Sequence, residues 1–291
     1  MPAKARRRHY LVDTAWLGAH LADPDLRVLE CTVFLHALPG HGYRAESGRA
    51  VWAAGHIPRS GFADLTDDLS DRNSALNYML PPPEQFASAM SRLGVGEGTR
   101  VVLYDRAVNM WAARVWWMLR AFGFDAGAVL DGGWRKWTAE GRPVSTEPCA
   151  YPEARFVPAV RPGLFVGKEE VLAALRDGRT CVVNTLSAEQ HRGSGGVTYG
   201  RPGRIAGSQN VPARDLVDPT THAYLGDDEL RARVTGRGAL EADRVITYCG
   251  GGIAASSVAL VLAALGHERV AVYDGSLSEW ASDPTLPMER D

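Results

Sequence analysis

The 291-residue chain contains no uninterrupted apolar run approaching the ~20 residues needed to cross a bilayer, so no membrane span is expected. It also lacks an excess of charge. A formal net charge of −2 gives no basis for nucleic-acid or membrane binding driven by bulk electrostatics. Lysine is nearly missing: Lys4, Lys136 and Lys168 are the only ones, and the other basic residues are arginine. Cysteines are few, and Cys31, Cys149, Cys181 and Cys249 show neither CxxC nor Cys/His spacing. That scatter argues against zinc and suits a reducing compartment. The stretch Met1 to Arg8 is basic without the apolar segment of a signal peptide, so a cytoplasmic protein with a frayed basic tail is expected. Hydrophobic content of 45% and charged content of 23% are those of a globular protein, long enough for two domains with a core in each.

What is present is a repeat. Val28 and its strand match Val182 in Cys181-Val182-Val183-Asn184-Thr185, and Gly55-His56-Ile57 matches Gly203-Arg204-Ile205. Val101 to Asp105 matches Val245 to Cys249, and Leu130-Asp131-Gly132-Gly133 with Trp137 matches Tyr273-Asp274-Gly275-Ser276 with Trp280. The offsets shrink in small steps along the chain, as they do when one unit is duplicated and its second copy has shorter loops. Short strands alternate with helical stretches, which implies an α/β fold with a mostly parallel sheet, flanked by helices, in each half. The boundaries expected are 1–145 and 163–291, joined by a proline-rich extended linker over 146–162. Asp13 or Thr14 is a candidate helix N-cap. Residues 36 to 50 and 64 to 83 show no periodicity and read as loops.

The chemistry concentrates in Val245-Ile246-Thr247-Tyr248-Cys249-Gly250-Gly251-Gly252-Ile253-Ala254-Ala255. A strand ends in a cysteine, three glycines follow, and then an apolar helix begins. A thiol at that junction meets unpaired backbone N–H groups and the positive end of a helix dipole, both of which favour the reactive thiolate. Glycines let successive N–H groups curl around one anionic point. Three readings compete. A buried cysteine before a turn is common, but three consecutive glycines cost ordering entropy that a plain turn does not require. Gly250 to Ala255 also fits the dinucleotide pattern G-x-G-x-x-G/A, with Asp274 at the next strand end. Little chain follows Asp274, however, and Asp131 stands at the equivalent place without any glycine motif, so both aspartates read as turn formers. The third reading is a nucleophile. Asp105 takes the place of Cys249 in the first half, so the chemistry is kept in the second half alone.

Gly55-His56-Ile57-Pro58, Arg114-Val115-Trp116-Trp117-Met118-Leu119-Arg120, Leu130-Asp131-Gly132-Gly133 and the single cysteine loop together resemble the tandem-domain rhodanese-type sulfurtransferases over nearly the whole chain. In that family the first domain is inactive and the second bears the cysteine. The loop here is closer to the CGSGVTA type of the 3-mercaptopyruvate enzymes than to the CRKGVTA type of the thiosulfate enzymes. Position 255 is alanine where a cysteine phosphatase needs arginine.

The resemblance implies that Cys249 attacks the sulfane sulfur of a small anionic donor, thiosulfate or 3-mercaptopyruvate, and becomes a persulfide. A cyanide ion, a thiol or a thioredoxin-like acceptor then removes that sulfur. The backbone N–H groups of Gly250, Gly251, Gly252, Ile253 and Ala254 would hold the anionic sulfur, without metal or organic cofactor. Two alternatives stay open: a persulfide carrier serving a partner protein, and the dinucleotide site. The donor-recognition pattern departs from the family. Asp64 falls where the mercaptopyruvate enzymes carry an aspartate, but Tyr78 stands at their histidine and Gly251 at their serine. Asp64 reads equally as the start of an Asx-turn. Gln190 aligns with a donor-binding arginine, and His191, Arg192, Arg201 and Arg204 are nearby cations, each with a solvated surface role as its alternative. Cys31 and Cys181, in strands expected to be buried, are expected to be inert.

Overall fold

Runs of valine, isoleucine and leucine become strands here because branched side chains suit the pleat and helices cover both faces. The computed structural model describes residue 7 and residues 9 to 39 and 42 to 291. The first half contains β1 (Leu11–Val12), α1 (Thr14–His20), β2 (Leu26–Glu30), β3 (Val33–Ala37), β4 (Tyr43–Ser47), α2 (Arg49–Ala54) and β5 (Ser60–Phe62). It continues through α3 (Pro83–Arg92), β6 (Arg100–Tyr104), α4 (Met110–Ala121), β7 (Gly127–Leu130) and α5 (Gly133–Ala139). The second half contains β8 (Phe165–Val166), α6 (Lys168–Asp177), β9 (Thr180–Asn184), α7 (Ala188–Arg192), β10 (Arg204–Ile205) and β11 (Gln209–Asn210). A 3-10 turn (Ala213–Leu216), α8 (Asp227–Thr235), β12 (Arg244–Tyr248), α9 (Ile253–Ala264), β13 (Val270–Tyr273), α10 (Ser276–Trp280) and β14 (Met288–Glu289) complete it.

Each half builds a five-stranded sheet, ordered β1-β7-β6-β2-β5 in the first and β8-β13-β12-β9-β11 in the second. Every pairing within these two sheets is parallel. The orders correspond strand for strand, so the sequence repeat is a repeat of topology. β6 and β12 occupy the sheet centres and end at Tyr104 and Tyr248, which delivers Asp105 and Cys249 to equivalent carboxyl ends. Ligands bind at such ends in open α/β sheets.

The two halves meet through α4 and α9. Along α9 every residue except Ala254 is buried, and α4 is buried from Trp111 to Leu119. An apolar surface all round a helix is what burial on every side demands, and it explains why neither helix shows a single hydrophobic stripe. One core cluster accordingly runs from Trp111, Val115 and Phe122 to Val258, Leu262 and Val272.

Two expectations are corrected. Residues 33 to 47 form an antiparallel hairpin of β3 and β4, from Val33 opposite Ser47 to Ala37 opposite Tyr43. Its side chains are mostly exposed or half-exposed, so it carries no buried alternation to betray it. The Gly42 N–H donates to Thr198 O across the halves at 2.9 Å, so the hairpin leans over the second half; residues 40 and 41 lie outside the described ones. The basic tail at residues 1 to 6 and 8 also lies outside them, but Arg7 is not frayed. Its guanidinium donates to Leu225 O at 2.8 Å and Asp227 Oδ1 at 2.7 Å and lies 3.5 Å from Asp131. The proline-rich segment is extended but not loose. Phe156 is buried against Phe86 and Phe124, and the Ala159 N–H donates to Phe122 O at 2.9 Å. Asp13 is the cap of α1, accepting from the Trp16 N–H at 2.7 Å.

Candidate active site

Cys249 sits one residue beyond β12, is 3% exposed, and lines a cavity of about 580 Å³ between the halves. The loop after it turns through Gly252, whose φ of +78° makes it a left-handed N-cap of α9. A Cβ there would also lie 2.9 Å from Arg114 Nη1. Gly250 is required for a different reason: a Cβ on it would run into the Tyr199 ring. Gly251 is required for neither, because a Cβ there would make an ordinary 3.8 Å contact with Tyr78 Cδ2.

The loop is tied down on its outer side by α10. Ser276 Oγ accepts from the N–H groups of Cys249 and Gly252, each at 3.1 Å, and donates to Tyr273 O at 2.8 Å. The Leu277 N–H donates to Cys249 O at 3.1 Å, and the Ser278 N–H and hydroxyl both donate to Gly250 O. Ser276 is fully buried at φ +49°, a strained angle for serine, and the matching residue of the first half is Gly133 at φ +51°. The strain is tolerated where the hydroxyl braces both ends of the loop. Sequence reasoning missed Ser276. Its signal was the one departure from Asp131-Gly132-Gly133 in the matching Asp274-Gly275-Ser276.

These bonds correct the expected donor set. The Gly252 N–H is committed to Ser276, while no acceptor is paired with the N–H groups of Gly250 and Gly251 among the described residues. The N–H groups of Ile253 and Ala254, in the first turn of α9, have no partner within the helix. Four of the five expected donors are therefore without a protein acceptor among the described residues, at the positive end of α9.

The first half shows what such a turn holds. The Asp105 carboxylate, 1% exposed, accepts from the N–H groups of Ala107 at 2.8 Å, Asn109 at 3.1 Å, Trp111 at 2.9 Å and Ala112 at 3.0 Å. Burial pushes its pKa up, and those four hydrogen bonds oppose the rise. The anion nest of the first half is thus filled by its own side chain. In the second half a cysteine stands at its mouth.

Below the loop lies a buried ion pair between the halves. Arg114 Nη2, on fully buried Arg114 of α4, is 2.7 Å from Asp274 Oδ1 and 2.5 Å from Tyr78 O, while the Leu80 N–H donates to Asp274 Oδ2 at 2.7 Å. Both aspartates sit in the turns after their strands, as expected, but their carboxylates reach beyond those turns: Asp274 serves Arg114 and Leu80, and Asp131 accepts from the Tyr224 N–H at 2.7 Å and lies beside Arg7. A dinucleotide site would need Asp274 free for a ribose, and here it is spent on Arg114 and Leu80.

Of the expected recognition residues, Tyr78 and Gln190 line the cavity and the others do not. Tyr78 sits at φ +64° with its ring edge-on to Trp111 at 5.2 Å, and its buried hydroxyl has no partner among the described residues. Gln190 completes a capping box with Ser187 and donates to Val197 O at 2.8 Å. Arg201 is structural, donating to the carbonyls of Trp280, Ala281, Asp283 and Leu286. Arg204 lies 2.8 Å from Asp291 and 3.5 Å from Glu289, and exposed Arg192 lies 3.9 Å from Glu189. His191 is no cation at neutral pH: burial, then the charge of Arg204, lowers its pKa to about 4. Asp64 starts an Asx-turn, accepting from the Thr66 N–H at 2.9 Å and the Ser47 hydroxyl at 2.9 Å, outside the cavity lining. Residues unforeseen from sequence complete the wall, chiefly Tyr43, Trp111, Tyr199 and Arg214.

Cys31 is buried and Cys181 only half-buried. Burial, then the charges of Asp105 and Glu30, holds the Cys31 thiol well above its ordinary pKa. Burial pushes Cys181 up to about 11, although this residue is only half-buried.

Comparison with known proteins agrees with this layout. The family model described as a rhodanese-like domain matches residues 13–140 and again 168–283. The 3-mercaptopyruvate sulfurtransferase of Escherichia coli strain K12 is 34% identical over 284 residues, covering 96% of this chain and 98% of that protein. A thiosulfate sulfurtransferase of Mus musculus is 33% identical over 93% of this chain and 91% of its own length. Among solved structures, the 3-mercaptopyruvate enzyme SseA from Escherichia coli superposes with a TM-score of 0.80 at 34% identity, over 93% of this chain and 99% of that one. The chain belongs to the rhodanese family and carries two rhodanese-like domains in tandem.

Proposed function

We propose that the protein is a sulfurtransferase that moves a sulfane sulfur from thiosulfate or 3-mercaptopyruvate to a thiophilic acceptor through a persulfide on Cys249. The observation that carries this reading is the pair of equivalent nests, one filled by the Asp105 carboxylate and the other open at Cys249. The relatives named above act on these two donors, and their similarity spans nearly the whole chain.

In the first step the Cys249 thiolate attacks the outer sulfur of the donor. A new S–S bond forms as the bond from that sulfur to the rest of the donor breaks, and the leaving group departs with the bonding pair. For thiosulfate the products are the persulfide anion and sulfite. In the second step cyanide or a thiolate attacks the terminal sulfur and returns Cys249 to its thiolate. The N–H groups of Gly250, Gly251, Ile253 and Ala254 hold the negative terminal sulfur between the steps, a preorganised electrostatic role that costs no rearrangement. Small thiols or a thioredoxin-like protein serve as acceptors in this scheme. The four free cysteines suit a reducing, cytoplasmic setting. We also place the functional division at residues 1–145 for the inactive domain and 163–291 for the catalytic one. The test is thiocyanate release from either donor with cyanide. The native protein turns over, and Cys249→Ser abolishes turnover while keeping its urea midpoint; activity that survives the substitution refutes the reading.

A further inference from the structure

A donor whose sulfur is bound to carbon sets this site a task that thiosulfate does not. Thiosulfate releases sulfite, which keeps the bonding pair as a stable anion and takes up no proton. When the S–C bond of 3-mercaptopyruvate breaks, the pair is left on the methylene carbon as an enolate, which takes up a proton to become pyruvate. Cys249 is 3% exposed, and the wall near it is apolar or aromatic at Trp111, Leu186 and Ile253. A fixed side chain is better placed than bulk water to supply a proton there.

Three hydroxyls of the cavity lining are already engaged. Thr185 donates to Tyr248 O at 3.1 Å, Ser278 donates to Gly250 O at 2.7 Å, and Ser187 caps α7 by accepting from the Gln190 N–H at 3.3 Å. The phenols of Tyr43, Tyr78 and Tyr199 remain. Tyr78 faces the loop with a ring carbon: a Cβ on Gly251 would lie 3.8 Å from its Cδ2. Tyr199 faces the loop with its hydroxyl end, since a Cβ on Gly250, next to the nucleophile, would run into its Cζ, Cε1 and Oη. Tyr43 stands beside it, ring centroids 6.1 Å apart, and is half-exposed.

Tyr199 is held at that point from both sides. Thr198 O accepts from the Gly42 N–H at 2.9 Å, and Arg201 donates to the carbonyls of Trp280, Ala281, Asp283 and Leu286. Gly200, at φ +127°, lets the chain pass close to Ala281, where a Cβ would lie 3.1 Å from Ala281 O. The hydroxyl is thus preorganised beside the reacting sulfur. Burial, then the charge of Cys249, holds the Tyr199 phenol well above its ordinary pKa, so it stays protonated next to the thiolate.

We infer that Tyr199 is the proton donor to the carbon leaving group when the sulfur comes from 3-mercaptopyruvate. The inference rests on the sulfurtransferase reading and adds to it the residue that completes this branch. Cys249 Sγ forms a bond to the donor sulfur as the S–C bond breaks, and the electron pair leaves on the methylene carbon. The Tyr199 hydroxyl gives its proton to that carbon, producing the methyl group of pyruvate. The phenolate then takes the proton of the new persulfide S–H, which leaves the persulfide anion in the loop and restores Tyr199. Atoms and charge balance, and no oxidant or reductant is required.

The experiment measures kcat and KM of the full-length protein, Tyr199→Phe and Tyr78→Phe with 3-mercaptopyruvate and with thiosulfate, cyanide being the acceptor. Tyr199→Phe keeps the ring against Gly250 and removes only the hydroxyl. Its kcat with 3-mercaptopyruvate is expected to fall about a hundredfold, against about threefold or less with thiosulfate. Tyr78→Phe is expected to change both donors in proportion. Where thiosulfate does not load the native protein, inorganic polysulfide is the reference donor, because it too leaves no carbon to protonate. Equal losses of Tyr199→Phe with both donors mark a structural role and overturn the inference. No loss with 3-mercaptopyruvate, a selective loss in Tyr78→Phe instead, or a native protein that does not use 3-mercaptopyruvate overturns it as well. Each of these leaves sulfur transfer from the reference donor standing. A native protein that none of the three donors loads at Cys249 removes the sulfurtransferase reading itself.

Discussion

Gly250, Gly251 and Gly252 are adjacent, yet the structure requires them for different reasons, and substitution separates these. Gly250→Ala forces the Tyr199 ring away from Cys249 and Gly252→Ala strains a left-handed cap beside Arg114, so each is expected to cut turnover at least about tenfold. Gly251→Ser fits without strain, and its variant is expected to keep the wild-type unfolding free energy within about 0.5 kcal/mol. Steady-state turnover and urea denaturation check all three. Cysteine selectivity belongs to the same scale. A raised thiol pKa leaves the thiol protonated at neutral pH, so Cys31, Cys149 and Cys181 carry little thiolate there. Iodoacetamide at pH 7.5 is expected to label Cys249 first, with Cys181 labelled only as the pH approaches 11; peptide mapping reads the order. The glycine run and the cysteine were legible in the sequence because they break local composition. Ser276 was not, since one hydroxyl in a turn shows its purpose only when its partners are in view.

At the scale of elements, the loop from Cys249 to Gly252 is shaped by what α10 supplies. Removing the Ser276 hydroxyl leaves two buried N–H groups without an acceptor, which costs about 1–3 kcal/mol for each such group. Ser276→Ala is therefore expected to lower kcat about tenfold or more as the loop loses its fixed form, and to lower the urea midpoint as well. Ser276→Gly relieves the strain at φ +49° and is expected to recover part of the stability without the rate. Identical midpoints for both variants and the native protein would show that the brace does not matter. Strands and helices were legible wherever burial left a run of apolar residues: β6, β12 and α9 fall within a few residues of their expected places. The β3–β4 hairpin was missed for the converse reason, because exposed strands carry no such pattern.

Across the whole molecule, the first half carries Asp105 where the second has Cys249, yet it contributes to the site. It provides Arg114, whose charge lies under the Cys249 loop and against Asp274, and it provides the Tyr43, Tyr78 and Trp111 portion of the cavity wall. Removing one member of a buried pair leaves an uncompensated charge, at a cost of about 3–5 kcal/mol. Asp274→Asn is expected to destabilise the protein by an amount of that order and to weaken the junction of the halves. Replacing both members with apolar residues of similar size should recover much of the loss, as urea midpoints of the two variants would show. The sequence repeat revealed the duplication, but contacts between copies leave no periodic mark, and so the roles of Arg114, Arg7 and the packed linker emerged only in three dimensions.

Sulfur transfer at this site requires that Cys249 itself carry the sulfur. Its most direct test is the intact mass and peptide map of the protein after incubation with thiosulfate, 3-mercaptopyruvate or inorganic polysulfide, and then with cyanide. One added sulfur is expected, confined to the Cys249 peptide and lost on addition of cyanide. An unmodified Cys249 after every donor, or sulfur carried on Cys31, Cys149 or Cys181 instead, would contradict it.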